Sequence, residues 1–173
     1  ALSVKLLGLS EFSTRLPVAL FGTVSVLLLF FLVKVLLNNN FVALASAFFF
    51  TISPQNLHFS HFNHEANFAL FFFMLGLLLF MLTIKGKKLL ALAVIFFILS
   101  FLSYSASKIF IPVFLILLTI IFKKELLKIK KQFLLSGFLV LLFTVFLLLN
   151  PEVFGMQRAS QTIGQENLAA GFL

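Results

Sequence analysis

The sequence predicts an all-α protein, a multipass bundle of about six membrane-spanning helices, and three observations lead to this prediction. Of its 173 residues, 62% are hydrophobic and only 10% are charged, whereas a soluble domain carries roughly 25% charged residues. The apolar residues form long unbroken runs, and most of the lysines collect in the short segments between those runs. This composition excludes an ordinary soluble globule, a disordered chain and a secreted disulfide scaffold.

Six apolar segments approach the length of about 20 residues that a helix needs to cross a membrane. Their predicted bounds are Leu16–Leu37, Phe41–Leu57, Asn67–Ile84, Leu89–Ser103, Ser107–Phe122 and Phe133–Asn150. Runs such as Val26–Val33 and Phe68–Leu79 do not alternate apolar with polar residues, so helices are predicted instead of the strands of a barrel. We expect one transmembrane domain over 1–173, with 151–173 beginning an extracytoplasmic segment.

The loop charges predict the orientation of the bundle. The nine lysines on one predicted side are Lys34, Lys85, Lys87, Lys88, Lys123, Lys124, Lys128, Lys130 and Lys131. The four cations on the other are Lys5, Arg15, Lys108 and Arg158. Because cytoplasmic loops carry the excess of Lys and Arg, both termini are predicted to be extracytoplasmic. The net charge of +8 then indicates contact with anionic lipid head groups, and no nucleic-acid partner is expected.

The residue types that are missing restrict the chemistry. The chain has no Cys, which excludes disulfides, thiolate metal sites and a thiol nucleophile. It also has no Asp, so its side-chain carboxylates are Glu11, Glu65, Glu125, Glu152 and Glu166. A Ser-His-Asp triad is therefore excluded. The sequence contains neither a phosphate-binding glycine loop nor a dinucleotide fingerprint.

Polar residues that membrane spanning does not require gather at the predicted outer ends of the spans, where they indicate functional sites. In the first of three clusters, Glu11 and Arg15 lie four residues apart and share a helix face. One interpretation is an exposed ion pair beside Pro17. In the other, Arg15 binds an anionic ligand and Glu11 orients it.

The second cluster, residues 53–67, holds the three histidines His58, His61 and His64. Steps of three residues spread them over roughly 120° of a helix, and the second His of a zinc-protease helix is missing, so no metal site is predicted. Interfacial packing and ligand binding both remain open for the histidines. Glu65 is either a first-turn carboxylate at a positive helix end or a group that orients a ligand.

The third cluster, residues 103–108, separates the fourth and fifth spans. A tight outer turn needs only small residues, and Lys108 can simply extend its ammonium group to the interface. Alternatively, the Lys108 ammonium is a point charge for a phosphate and the Tyr104 hydroxyl donates a hydrogen bond to the ligand.

Three segments, taken in order, resemble the polyprenyl-phosphate-dependent glycosyltransferases, the superfamily of protein O-mannosyltransferases and lipid A aminoarabinose transferases. The first is Leu9–Gly22, which contains Glu11 and Arg15. The others are Ser53–Asn67, with its Ser53-Pro54, His58-Phe59-Ser60 and Glu65-Ala66-Asn67, and Ser100–Pro112, with Tyr104 and Lys108. Together they cover most of residues 1–122. The family pattern often carries Arg where His61 and Lys108 stand, and Lys keeps the charge without the planar fork.

The resemblance implies a helical multipass fold that transfers sugar from an undecaprenyl- or dolichyl-phosphate carrier to a glycan, lipid or protein acceptor on the extracytoplasmic face of a bacterial or archaeal plasma membrane. The donor is then the expected ligand, with no further cofactor. In such families an acidic residue of the first outer loop is the catalytic base. That loop is expected upstream of Ala1, so this chain alone is expected to be an inactive fragment.

The residues expected to bind the donor phosphate or its sugar are Arg15, His61, Lys108, Tyr104, Glu65, Glu11, His58 and Asn67. A segment of a transporter or flippase is an alternative function, although its polar residues would lie near mid-membrane at broken helices. A non-catalytic membrane scaffold is a third alternative, but it would not need three polar outer clusters.

Overall fold

The computed structural model of the chain describes residues 8, 10–54 and 65–150, with the side chains of 11–15 excepted. These residues form seven helices: α1 (Glu11–Leu37), α2 (Asn40–Ile52), α3 (Glu65–Ile84), α4 (Leu90–Ser103), α5 (Ser107–Ile121), α6 (Lys123–Lys128) and α7 (Lys130–Leu149). No strand occurs within the described ranges. The all-helical prediction is confirmed, and the segment predicted over 151–173 lies outside the described residues.

Among the described residues, three helices are long and apolar enough to cross a membrane: Leu16–Leu37 within α1, and the whole of α3 and α7. The helices α2, α4 and α5 have 13, 14 and 15 residues. At 1.5 Å per residue they reach only about 20–23 Å, less than the roughly 30 Å of a hydrocarbon core. The six-span topology and the extracytoplasmic termini therefore remain predictions.

The helix α2 ends at Ile52, five residues before the predicted end of that span at Leu57. The local cause is Pro54, because a residue that precedes proline avoids the helical region. Ser53 accordingly adopts an extended conformation, with φ −61° and ψ 124°.

An asparagine turn reverses the chain between α1 and α2. Asn38 has a φ of 52° and its amide donates to the Lys34 carbonyl at 2.9 Å, the geometry of a left-handed helix cap that Asn tolerates well. The side-chain oxygen of Asn39 then accepts from the Phe41 amide at 2.9 Å and caps the start of α2. Two local caps thus produce the first hairpin.

A glycine cap ends α3. Gly86 has a φ of 95°, and the bonds from its amide to Thr83 and from the Lys87 amide to Leu82 form a Schellman motif. The Lys85 ammonium group donates to the carbonyl of Val35. This bond joins the C-terminal ends of α1 and α3, so both ends lie on the same side of the bundle.

The helix α3 lies at the centre of the first part of the bundle, packed against α1 and most extensively against α4, while α4 also contacts α5 and α7. The main core contains Phe80, Ala93, Phe97 and Phe101. The ring centroids of Phe80 and Phe122 are 5.6 Å apart. The lysine-bearing ends of α3 and α5 are therefore also adjacent. We call this side the lysine end, and the side holding Asn67 and Tyr104 the polar end.

Gly76 sets the close approach of α3 to α4. A Cβ atom there would lie 3.2 Å from the Phe97 ring and 3.3 Å from the Ala93 carbonyl oxygen, whereas at Gly137 it would meet open space. We expect Gly76→Ala to lower the free energy of unfolding by about 1–3 kcal/mol, the usual cost of overpacking. Gly137→Ala, the matched control, should raise it by about 0.5–1 kcal/mol because Ala favours helix. Thermal unfolding in detergent measures both, and equal effects would contradict the packing account.

The predicted orientation is tested by single cysteines at the two ends, since this chain has none of its own. A cysteine replacing Ser105, in the exposed turn after α4, should react with a membrane-impermeant thiol reagent in intact cells. A cysteine replacing Lys87, exposed after α3, should react only after the cells are lysed. The reverse pattern would place the polar end in the cytoplasm.

Candidate functional site

A cavity of about 510 Å³ opens at the polar end. Its walls come from the end of α2, the start of α3, the end of α4 and the start of α5. The hydrogen-bonding residues that line it are Ser53, Asn67, Ser100, Tyr104 and Ser107. Apolar lining comes from Phe50, Ala66, Ala69, Leu70, Phe73, Phe110 and Ile111. The volume lies within the range of small-molecule sites.

Among the predicted site residues whose side chains the structure describes, Asn67 is the most deeply buried. Its side chain is 2% exposed, and its Nδ2 donates to the Val18 carbonyl oxygen of α1 at 3.2 Å. Because a buried amide without partners is costly, this bond fixes both the side chain and the contact between α1 and α3. Asn67 therefore faces the cavity from a rigid position.

Ser100 connects two walls of the cavity, α4 and α3. The side chain is 1% exposed, and its hydroxyl donates to the Ala69 carbonyl oxygen of α3 at 2.7 Å. This bond links α4 to α3 one turn above the end of α4. The hydroxyl oxygen still has lone pairs with which to accept a ligand hydrogen bond.

Tyr104 and Lys108 are positioned by the turn between α4 and α5. Tyr104 is extended, with φ −149° and ψ 142°, so it ends α4 at the rim of the cavity. The amide of Ser107 donates to the Tyr104 carbonyl and that of Lys108 to the Ser105 carbonyl, both at 3.2 Å. Lys108 is half-buried in the first turn of α5, beside Ser107, which lines the cavity.

The structure brings some of the predicted site residues together. Asn67 and Tyr104 share the cavity. Glu65 is exposed at the first position of α3 and precedes Ala66, which lines the cavity. Lys108 directly follows Ser107, which lines the cavity.

Other predicted site residues either lie outside the described residues or have no described side chain. The backbones of Glu11 and Arg15 lie in the first turns of α1, without described side chains, and His58 and His61 lie in 55–64, outside the described residues. The convergence of Arg15, His61 and Lys108 on one anion therefore remains a prediction. The residues described contain no group of three metal-binding side chains, while all three histidines fall within 55–64.

Three serines of the cavity, Ser53, Ser100 and Ser107, were not among the predicted binding residues. A signal for Ser100 is present in the sequence, since it interrupts an apolar run close to the end of a span. Each polar side chain among the described residues of the lining is neutral. Neutral donors and acceptors suit a ligand rich in hydroxyl groups, and the residue that follows Ser107 in the chain is the cation Lys108.

The sequence model of the family described as dolichyl-phosphate-mannose-protein mannosyltransferase matches residues 1–149 of the chain. The matched range includes every residue that lines the cavity. No curated protein matches the chain, and no solved structure matches it.

Proposed function

Because the chain belongs to the dolichyl-phosphate-mannose-protein mannosyltransferase family, a family of membrane glycosyltransferases, we propose that it moves a sugar from a polyprenyl-phosphate carrier to an acceptor on the extracytoplasmic face. The observation that supports the proposal is the cavity at the polar end with its neutral hydrogen-bonding lining, in which the lining residue Ser107 is directly followed in the chain by Lys108. A carrier-linked sugar combines a neutral polyol, which the lining residues can hydrogen-bond, with a phosphate, which a lysine can bind.

The two parts of the donor are assigned to different residues. Asn67, Ser100 and Tyr104 hydrogen-bond the sugar hydroxyls within the cavity. Lys108 meets the phosphate, with Arg15 and His61 as its proposed partners. Glu65 orients His61 or a sugar hydroxyl, Glu11 orients Arg15, and His58 adds a further polar contact.

Charge development explains why a cation belongs at this position. Transfer breaks the bond between the anomeric carbon of the sugar and the carrier phosphate oxygen, and the electron pair stays with the phosphate. Negative charge therefore grows on the departing group, and a fixed cation stabilises it most in the transition state. The oxygen of the acceptor hydroxyl forms the new bond to the anomeric carbon, and its proton goes to a catalytic base.

The test uses the full-length protein in proteoliposomes with polyprenyl-phosphate-linked radioactive mannose. We expect Tyr104→Phe to lower kcat/KM for the donor about three- to tenfold, because one hydrogen bond of roughly 0.5–1.5 kcal/mol is lost while the ring remains. The matched control is Ser46→Ala, since that exposed hydroxyl bonds only within α2 at 2.8 Å to Val42. Equal rates for both variants and the parent would contradict the assignment of Tyr104.

A further inference from the structure

A second cavity, of about 560 Å³, runs along the opposite part of the bundle. The helix α4 forms its floor, and α5 and α7, which both pack against α4, form its walls. At the lysine end it is bounded by Leu126 of α6 and Phe133 of α7. This groove extends from there to Phe101 and Leu147, close to the polar end.

The groove presents an apolar surface although three hydroxyl residues line it. Thr119 donates to the Leu115 carbonyl at 2.8 Å, Ser136 to Phe133 at 2.9 Å and Thr144 to Val140 at 2.9 Å. These bonds remain within α5 and α7, so the hydroxyl protons are already satisfied. The groove therefore suits hydrocarbon chains better than a polar ligand.

Positive charge adjoins one end of this groove. Lys123 and Lys130 precede the groove residues Leu126 and Phe133 by three positions each, so each shares a helix face with one of them. Both lysines are exposed, as are Lys124, Lys128 and Lys131. The only carboxylate within 123–131 is Glu125.

We propose that this groove binds one anionic phospholipid, with its acyl chains between α5 and α7 and its head group at Lys123 and Lys130. The combination of an apolar groove with lysines at one end matches the acyl chains and the anionic head group of such a lipid. A zwitterionic lipid lacks the net charge that the lysines recognise. The proposal depends on membrane insertion and not on the proposed sugar transfer.

The test is native mass spectrometry of the delipidated full-length protein, titrated with dioleoyl-phosphatidylglycerol or dioleoyl-phosphatidylcholine. We expect a one-to-one adduct with the anionic lipid, bound at least tenfold more tightly than the zwitterionic lipid. The double variant Lys123→Gln with Lys130→Gln should weaken the anionic adduct about thirtyfold, roughly fivefold for each lysine near an anionic group.

Two further variants separate a built site from a diffuse basic surface. Lys87→Gln with Lys88→Gln removes the same charge from exposed positions of another loop and should leave the adduct within about twofold of the parent. Gly137→Leu keeps every charge and extends a side chain into the groove, where a Cβ meets no atom within 4 Å, and it should abolish the one-to-one adduct while the protein stays folded.

Three results would overturn the proposal. Equal losses in the two lysine pairs would show a diffuse surface, and an unchanged adduct in Gly137→Leu would show that the lipid lies elsewhere. Displacement of the phosphatidylglycerol by equimolar undecaprenyl phosphate would assign the groove to the carrier chain. Because no sugar transfer is measured, failure here leaves the proposed function standing.

Discussion

Replacing Lys108 with alanine is expected to raise the KM of the full-length protein for its polyprenyl-phosphate donor by about ten- to a hundredfold. A charge-assisted contact contributes roughly 1.5–3 kcal/mol, and each 1.4 kcal/mol corresponds to a factor of ten. Lys108 is half-buried and directly follows Ser107, which lines the cavity, and we propose that its ammonium group reaches the carrier phosphate. Donor titrations in a sugar-transfer assay measure the change.

Further variants, which keep or remove positive charge at chosen positions, test whether the charge of Lys108 causes this effect. Lys108→Arg should be tolerated or improved, because the guanidinium fork suits phosphate, and His61→Arg should be tolerated for the same reason. Arg15→Ala should behave as Lys108→Ala does, while Lys87→Ala, an exposed lysine at the other end of the bundle, should have little effect. Unchanged donor kinetics in Lys108→Ala and Arg15→Ala would leave only the interfacial and ion-pair interpretations of these residues.

The second large effect is expected from Asn67→Leu, which keeps the side-chain volume but removes both hydrogen-bonding atoms. Loss of the bond to the Val18 carbonyl leaves a polar group without that partner, so the free energy of unfolding should fall by about 1–3 kcal/mol. Loss of its proposed hydrogen bond to a sugar hydroxyl should lower kcat/KM for the natural donor about tenfold, as expected for roughly 1.4 kcal/mol.

A second measurement separates the binding role of Asn67 from its role in packing. Donors that lack one sugar hydroxyl should be discriminated against by the parent, and Asn67→Leu should no longer distinguish one of them from the complete sugar. Ser25→Ala is the matched control, because Ser25 is equally buried but its hydroxyl bonds only to Phe21 within α1. A purely structural Asn67 would lose activity equally toward every donor and keep its discrimination.

The helices and their reversals follow from local sequence. Long Leu and Phe runs predict α1, α3 and α7, and the Asn38-Asn39-Asn40 turn is read from polar residues that favour caps. The helix α2 ends at Ile52, and a local rule explains this end, because Pro54 prevents Ser53 from continuing the helix.

The cavity cannot be predicted from any one helix, because it forms where several helices pack together. Asn67 reaches Val18 and Ser100 reaches Ala69 only because particular faces of α1, α3 and α4 meet. The rotation of each helix is fixed by small contacts such as that of Gly76 with Phe97, and nearly uniform apolar runs do not specify which face turns inward. The polar clusters 53–67 and 103–108 therefore drew attention to the segments that hold Asn67 and Tyr104, while the structure showed that these two residues share one cavity with Ser53 and Ser107.

The most direct test of sugar transfer follows both products in sealed proteoliposomes that hold the full-length protein, a polyprenyl-phosphate-linked radioactive mannose and an acceptor extract. The proposed function predicts that labelled acceptor and free polyprenyl phosphate appear in equal amounts, and that Lys108→Ala slows both to the same degree at low donor concentration. Movement of the intact donor across the bilayer, with neither product formed, would contradict a transferase and indicate a transporter of the lipid-linked sugar.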